Sequence, residues 1–237
     1  MSQSESLLVY SRYTPGTTDL DFLVNKYLDA ADREYFSTLK SAGRQHEFAL
    51  GRALTKQLLS DEFGKPAEYW QIGRAESGRP ELRNDGFTQV DISISHSGGL
   101  VLVGMSTQGR IGVDVEKYKS KRDVFRLAQN YFHTNETQLL QYESPAKLIH
   151  TFYILWTLKE AYAKASGENL YSILGRYDFS KILQENKEGQ WIDISACVAG
   201  EYSALFSQLG NELPYAVVTT GRSGALSDSP MLYKLTT

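Results

Sequence analysis

Apolar and polar positions change period along this chain. Val90, Ile92 and Ile94 alternate with Asp91, Ser93 and Ser95, residues 100–105 are almost wholly apolar, and Ile111, Val113 and Val115 alternate with Gly112, Asp114 and Glu116. A period of two predicts strands, and the His96-Ser97-Gly98-Gly99 and Gln108-Gly109 turns between them predict an antiparallel meander. Steps of three and four replace this pattern elsewhere. They predict a helix from Asp19 through Leu20, Leu23 or Val24, Tyr27, Leu28 and Ala31, capped by Asp19 or Thr18, with a second piece carrying Tyr35, Phe36 and Leu39. Further helices are expected over 45–59, over 124–132, through Leu139, Leu140 and Tyr142 after a Thr134 cap, and over 147–165 before Gly167.

The remaining segments read as short strands and turns. Strands are expected at 7–10, 69–72, 177–179, 191–194, 202–206 and 215–219, with 231–235 as a final edge strand or a docked terminus. Tyr13-Thr14-Pro15-Gly16, Ser77-Gly78-Arg79-Pro80 and Asn84-Asp85-Gly86 punctuate the first part as turns, and 221–230 reads as a loose loop. Helices followed by short meanders occur once before about residue 108 and once after it. This order predicts an α+β fold of two similar halves, 1–108 and 109–237, each with helices packed on a mainly antiparallel sheet in a pseudo-twofold arrangement around a cleft.

Composition narrows the class. At 237 residues, with 41% hydrophobic and 22% charged positions, the chain can bury a full core without staples. A net charge of -3 gives no reason to expect nucleic-acid binding, so an anionic ligand would have to meet local Arg and Lys residues. Cys197 is the single cysteine and reads as a small buried apolar residue, which leaves no intrachain disulfide and little support for a zinc site or a reactive thiol. The Leu7-Leu8-Val9-Tyr10 run is too short for a leader and no run reaches membrane-spanning length, so the expectation is no membrane association and a cytoplasmic protein.

Two stretches carry the candidate chemistry. On a strand, Asp114 and Glu116 share one face roughly 7 Å apart, close enough to converge on one hard cation. On the helix over 147–165, Glu160 lies on the otherwise inward Ile149, Phe152, Trp156 face, and Lys164 follows it by four residues. Separately, these residues also fit a polar strand face and an ordinary helical ion pair; three carboxylates and a lysine in one half point together to a cation site. Arg44, His46, Arg52 and Lys56 form either a solvated basic face or an anion site, since arginine forks hold phosphate oxygens well. Lys117, Lys119, Lys121 and Arg122 form a basic run around Tyr118, either a solvated loop or part of a partner surface.

Gly112-Val113-Asp114-Val115-Glu116 and Trp156-Thr157-Leu158-Lys159-Glu160-Ala161-Tyr162-Ala163-Lys164 resemble the paired signatures of the 4'-phosphopantetheinyl transferases of the long two-half, surfactin-synthetase-activating type. Ile94-Ser95-His96-Ser97-Gly98, Gly78-Arg79-Pro80 where that family often has Gly-Lys-Pro, and residues 132–136 extend the resemblance in order and spacing over some 90 residues. It implies a magnesium-dependent enzyme that uses coenzyme A as substrate. The partners it implies are apo acyl, peptidyl or aryl carrier domains of fatty-acid, polyketide and non-ribosomal peptide synthesis.

Carried over by position, the resemblance makes Asp114, Glu116 and Glu160 the Mg2+ ligands, His96, Ser95 and Arg79 contacts to the coenzyme A phosphates, and Lys164 a contact to the pyrophosphate. Lys159 would reinforce the positive field, and Arg44 and Arg52 are the candidates for the 3'-phosphate. Glu160, Lys164 and His96 become the catalytic set, with Glu160 preferred as general base over Glu116, a hydroxide on the metal, or the more distant Glu136. With both halves of one cleft on one chain, a monomer suffices. The competing readings are a non-catalytic coenzyme A or carrier-binding module and a magnesium-dependent phosphate hydrolase.

Overall fold

A computed structural model describes residues 6–12, 19–119, 121–185, 187–210, 213–220 and 231–232. The fold is mixed α+β, with helices packed against largely antiparallel sheets in two similar halves. The turn expected at 13–16 and the loop at 221–230 lie outside the described residues.

In the first half, β1 (Ser6–Arg12) is followed by α1 (Leu20–Tyr27), α2 (Ala30–Thr38) and α3 (Ala42–Phe63). The expected long first helix is broken at Leu28, because Asp29 accepts the Asp32 N–H and starts α2 as Asp19 starts α1. A small hairpin, β2 (Ile72–Arg74) with β3 (Pro80–Leu82), turns the chain into β4 (Asp91–Ser97) and β5 (Leu100–Ser106). Gly98 and Gly99, both at positive φ, form the two-residue connection that the twist of a β4–β5 hairpin favours. Leu50, Ala53, Leu54 and Leu58 of α3 are buried against Ile92, Val101, Val103 and Met105, each fully buried large side chain contributing roughly 1.5–3 kcal/mol.

In the second half, β6 (Ile111–Val115) precedes α4 (Val124–Tyr131), α5 (Thr134–Gln141) and α6 (Pro145–Ser166). Short helices α7 (Leu170–Leu174) and α8 (Ser180–Gln184) then lead to β7 (Ile192–Asp193), β8 (Tyr202–Leu209) and β9 (Leu213–Thr220). The strand expected at 177–179 is instead the entry to α8, whose carbonyl and N–H groups serve a buried ion pair described below. Thr134 does not cap α5; the His133 ring accepts the Asn135 N–H while Glu136 accepts the His133 N–H. Strand β10 (Met231–Leu232) returns to the first half and pairs in parallel with β1.

The halves share a plan. Their sheets run β10-β1-β5-β4 and β6-β9-β8-β7, so in each the leading strand pairs with the second strand of a later hairpin. Each also has a 22-residue helix, α3 or α6, lying against its sheet. The three-strand meander expected over 90–116 therefore stops at β5. Both edges of β5 are already taken, by β1 and β4, so β6 crosses to β9 instead. Leu100 and Leu102 of β5 nonetheless share a buried cluster with Ile111, Val113, Val115 and Val217, which joins the two halves.

Candidate functional site

The site is built where β6 is clamped between α6 and β4. A Cβ on Gly112 would lie 2.0 Å from the Ala161 carbonyl oxygen and 2.6 Å from the Ala165 nitrogen, so only glycine lets β6 lie on the α6 backbone at this point. On its other side β6 runs beside β4 without conventional pairing. Four β4 side chains accept backbone N–H groups of β6 and of Lys117 just past it, at a constant offset of twenty: Asp91 Oδ2 from Ile111 (2.7 Å), Ser93 Oγ from Val113 (3.0 Å), Ser95 Oγ from Val115 (3.3 Å) and Ser97 Oγ from Lys117 (3.0 Å). This polar ladder satisfies donors that a sheet neighbour would otherwise have to meet.

Asp114 is 4% exposed. Its Oδ1 accepts from Ser95 Oγ (2.7 Å) and Lys164 Nζ (2.8 Å), while Oδ2 is buried without a partner. Lys164, from the last turn of α6, also donates to the Val113 carbonyl at 3.0 Å. The ion pair expected along the helix between Glu160 and Lys164 is thus made across to β6. Glu116, just beyond the strand, accepts from Ser97 Oγ at 2.9 Å; burial and the Asp114 charge push its carboxyl up, eased by Ser97, Lys119 and Arg122. Glu160 is pushed up to about 7, mainly by burial and then by Asp114, with Lys164 opposing and Glu116 adding. The Trp156 indole N–H, one turn earlier, is buried without a hydrogen-bond partner. Among the described residues no group of three or more His, Cys, Asp or Glu side chains is arranged closely enough to hold a metal ion. The three carboxylates expected to do so are near enough to oppose each other's ionisation, without converging.

A cavity of about 210 Å3 opens beside this cluster, lined by α2, α3, the β2–β3 hairpin and β4. Arg44 and His96 meet at its edge: Arg44 Nη1 reaches both the His96 ring and, at 3.1 Å, Glu47 Oε2, which lies 3.2 Å from His96 Nδ1. Burial, with Arg44 and Lys164 adding and Glu47 opposing, holds the His96 pKa below its usual value. Arg52 lines the cavity as well; its Nε donates to the buried Asp32 at 2.7 Å and its guanidinium lies over the Phe48 ring. Sequence reasoning missed Glu47, Arg74, Tyr35 and Phe48, all of which line the cavity, with Arg74 stacked 4.4 Å above the Tyr35 ring. No local spacing links these residues, since they come from α2, α3 and β2.

Three expected contacts lie elsewhere. Arg79 points to the opposite end of β4 from His96, where Nη2 donates to Asp91 (2.8 Å) and the Ile111 carbonyl (3.0 Å). Lys159 is 0% exposed, and its ammonium is spent on Glu136 (2.9 Å) and the carbonyls of Leu174 (2.8 Å) and Tyr177 (2.7 Å). Glu136, the more distant base candidate, is equally buried and accepts from the His133 and Phe179 N–H groups. The Ser95 hydroxyl is buried and engaged by Asp114 and Val115 rather than open to the cavity. Of the basic run, Arg122 lies 6.0 Å over the Trp156 ring, at the edge of the acidic cluster.

Residues 110–218 match the family model described as the 4'-phosphopantetheinyl transferase superfamily. The chain is 32% identical over 126 residues to a putative 4'-phosphopantetheinyl transferase of Synechocystis, covering 53% of this chain and 51% of that protein. It is 30% identical over 145 residues to a 4'-phosphopantetheinyl transferase of Aneurinibacillus migulanus, covering 59% and 58%, and 28% identical over 145 residues to one from Nostoc, covering 60% and 59%. The matched part of the chain thus spans little more than half the length of these relatives. Among the described residues no helix is long and apolar enough to cross a membrane.

Proposed function

We propose that this chain is a 4'-phosphopantetheinyl transferase of the long two-half kind, built from residues 1–108 and 109–237. It would move the phosphopantetheine arm of coenzyme A to the serine of an apo acyl, peptidyl or aryl carrier domain of fatty-acid, polyketide or non-ribosomal peptide synthesis. The observation that carries this reading is the abutment of two unlike charge environments: an Arg44, Arg52 and His96 cavity from the first half against the Asp114, Glu116, Glu160 and Lys164 cluster from the second. The superfamily match over 110–218 supports it.

The donor types, oxygen ligands from three carboxylates, suit a magnesium ion, although the three do not converge in this arrangement. The unpartnered Oδ2 of Asp114 and the raised carboxyls of Glu116 and Glu160 mark a cluster with more negative charge than Lys164 offsets, and hard oxygen ligands are what Mg2+ takes. Asp114, Glu116 and Glu160 would hold it, and when bound it supplies charge neutralisation for the pyrophosphate. The chain's own groups do the rest. Arg44, Arg52 and Arg74 hold the adenosine end and its 3'-phosphate in the cavity, and His96 and Lys164 face the bridging phosphates.

The carrier serine oxygen attacks the β-phosphorus, the bond to the bridging oxygen breaks, and 3',5'-adenosine bisphosphate leaves with the electron pair. Glu160 takes the serine proton, and positioning carries much of the remaining rate. Lys164 and His96 stabilise the departing charge. Arg122 and its neighbours provide a basic rim for acidic carrier helices. The test is release of 3',5'-adenosine bisphosphate from coenzyme A and Mg2+, followed with and without apo carrier. Release that requires the carrier is expected. Release without it would mark a hydrolase, and coenzyme A binding with no release under either condition would mark a non-catalytic binding module.

A further inference from the structure

The ladder between β4 and β6 does more than satisfy backbone groups at two of its four rungs. A serine hydroxyl has one proton to give and two lone pairs to accept with. At Ser95 one lone pair is taken by the Val115 N–H and the proton goes to Asp114 Oδ1; at Ser97 the Lys117 N–H and Glu116 Oε2 take the same two roles. Each hydroxyl is oriented by a strand backbone and in turn orients a carboxylate. Ser93 occupies the same rung geometry, accepts the Val113 N–H, and has no carboxylate partner among the described residues.

We infer that Ser95 and Ser97 are positioning residues by which the first half of the chain, which contributes no carboxylate to the acidic cluster, sets the Asp114 and Glu116 side chains for a divalent cation. This rests on the cation-assisted transfer proposed above and extends it. Ser95 acts through Asp114 instead of touching coenzyme A. It holds Oδ1 against Lys164 and so leaves Oδ2 as the open oxygen. Ser97 pins Oε2 of Glu116 in the same manner. Outer residues that orient metal ligands in this way commonly account for about 10–100-fold in metal affinity.

The experiment uses the full chain and Mn2+ as the probe, with and without coenzyme A, reading the dissociation constant by electron paramagnetic resonance and the thermal unfolding midpoint of each variant. Ser95→Ala and Ser97→Ala are expected to weaken Mn2+ binding by about tenfold or more. Ser93→Ala removes the same kind of N–H acceptor, so it is expected to lower the midpoint as Ser95→Ala does while leaving Mn2+ affinity within about twofold of the parent. Ser97→Thr, at the half-buried end of the ladder, keeps the hydroxyl and is expected to restore binding. If the parent binds Mn2+ but the Ser95 and Ser97 variants bind it as tightly as Ser93→Ala, the positioning role is refuted and the transfer reading stands. If the parent binds no Mn2+ in either condition, the cation reading itself falls, and this inference with it.

Discussion

Replacing Lys159 with methionine separates a structural lysine from a substrate-binding one. Methionine keeps the length and apolar stem of the side chain, so packing beside Phe132 and Phe179 survives while the charge is lost. What remains is a Glu136 carboxylate at 0% exposure with two backbone donors but no cation, and two buried carbonyls, of Leu174 and Tyr177, without their donor. Breaking a buried pair from one side costs about 3–5 kcal/mol, a large part of the roughly 5–15 kcal/mol that holds a domain folded.

The loss is also pH-dependent, with a definite sign. Burial already raises the Glu136 pKa above its ordinary value of 4.5, with Lys159 opposing; without Lys159 it rises further. A folded-state pKa above the unfolded one means the folded protein binds the proton more tightly, so stability is greatest below pH 4.5 and falls as pH rises through the folded value. Urea unfolding is therefore expected to show a smaller deficit for K159M at acidic pH than at pH near 8. Glu136→Gln in the same background recovers part of the deficit and removes its pH dependence. Coenzyme A affinity of the folded variant stays within about twofold of the parent. A K159M protein of parental stability whose coenzyme A binding is lost would refute the reasoning.

Other outcomes follow from the same geometry. Gly112→Ala, whose new methyl meets main-chain atoms that cannot swing aside, is expected to cost on the order of 3 kcal/mol or more, measured as soluble yield and unfolding midpoint. Glu160→Gln keeps the fold and lowers transfer by roughly 100-fold or more in metal-replete assays; undiminished turnover would remove Glu160 as the base. Arg44→Ala is expected to raise KM for coenzyme A by about tenfold, whereas Arg79→Ala, which unties Asp91 and Ile111, lowers stability and leaves KM near parental.

The elements that carry the site were the most legible part of the chain: β6 by its alternating Ile111, Val113 and Val115 beside Asp114, and α6 by its length and the Gly167 that ends it, although α6 is buried on nearly every side instead of along one face. What stayed hidden lies in relations over long sequence distances. Nothing local to Lys159 announces that Glu136, 23 positions earlier in the chain, is its partner, and a helical period cannot tell which side of a bundle buries a lysine. The same limit explains β6: its antiparallel pairing with β9 spans about a hundred residues, while the turn before it looked like another hairpin. Ser93 and Ser95 read as the polar positions of an alternating strand, and Ser97 as part of the following turn. Their use as a ladder depends on a second strand alongside, which only the tertiary fold supplies. Arg74 and Glu47 escaped because the cavity is assembled from separate elements, with five residues from α3 and one or two each from α2, β2 and β4.

The most direct measurement is the intact mass of apo acyl, peptidyl and aryl carrier domains after incubation with this chain, coenzyme A and Mg2+, beside carriers whose acceptor serine is replaced by alanine. The account predicts the addition of one phosphopantetheine arm to at least one carrier, absent from its serine-to-alanine counterpart and strongly reduced with Glu160→Gln. No mass gain on any of these carriers, from a folded chain that binds coenzyme A, would contradict it.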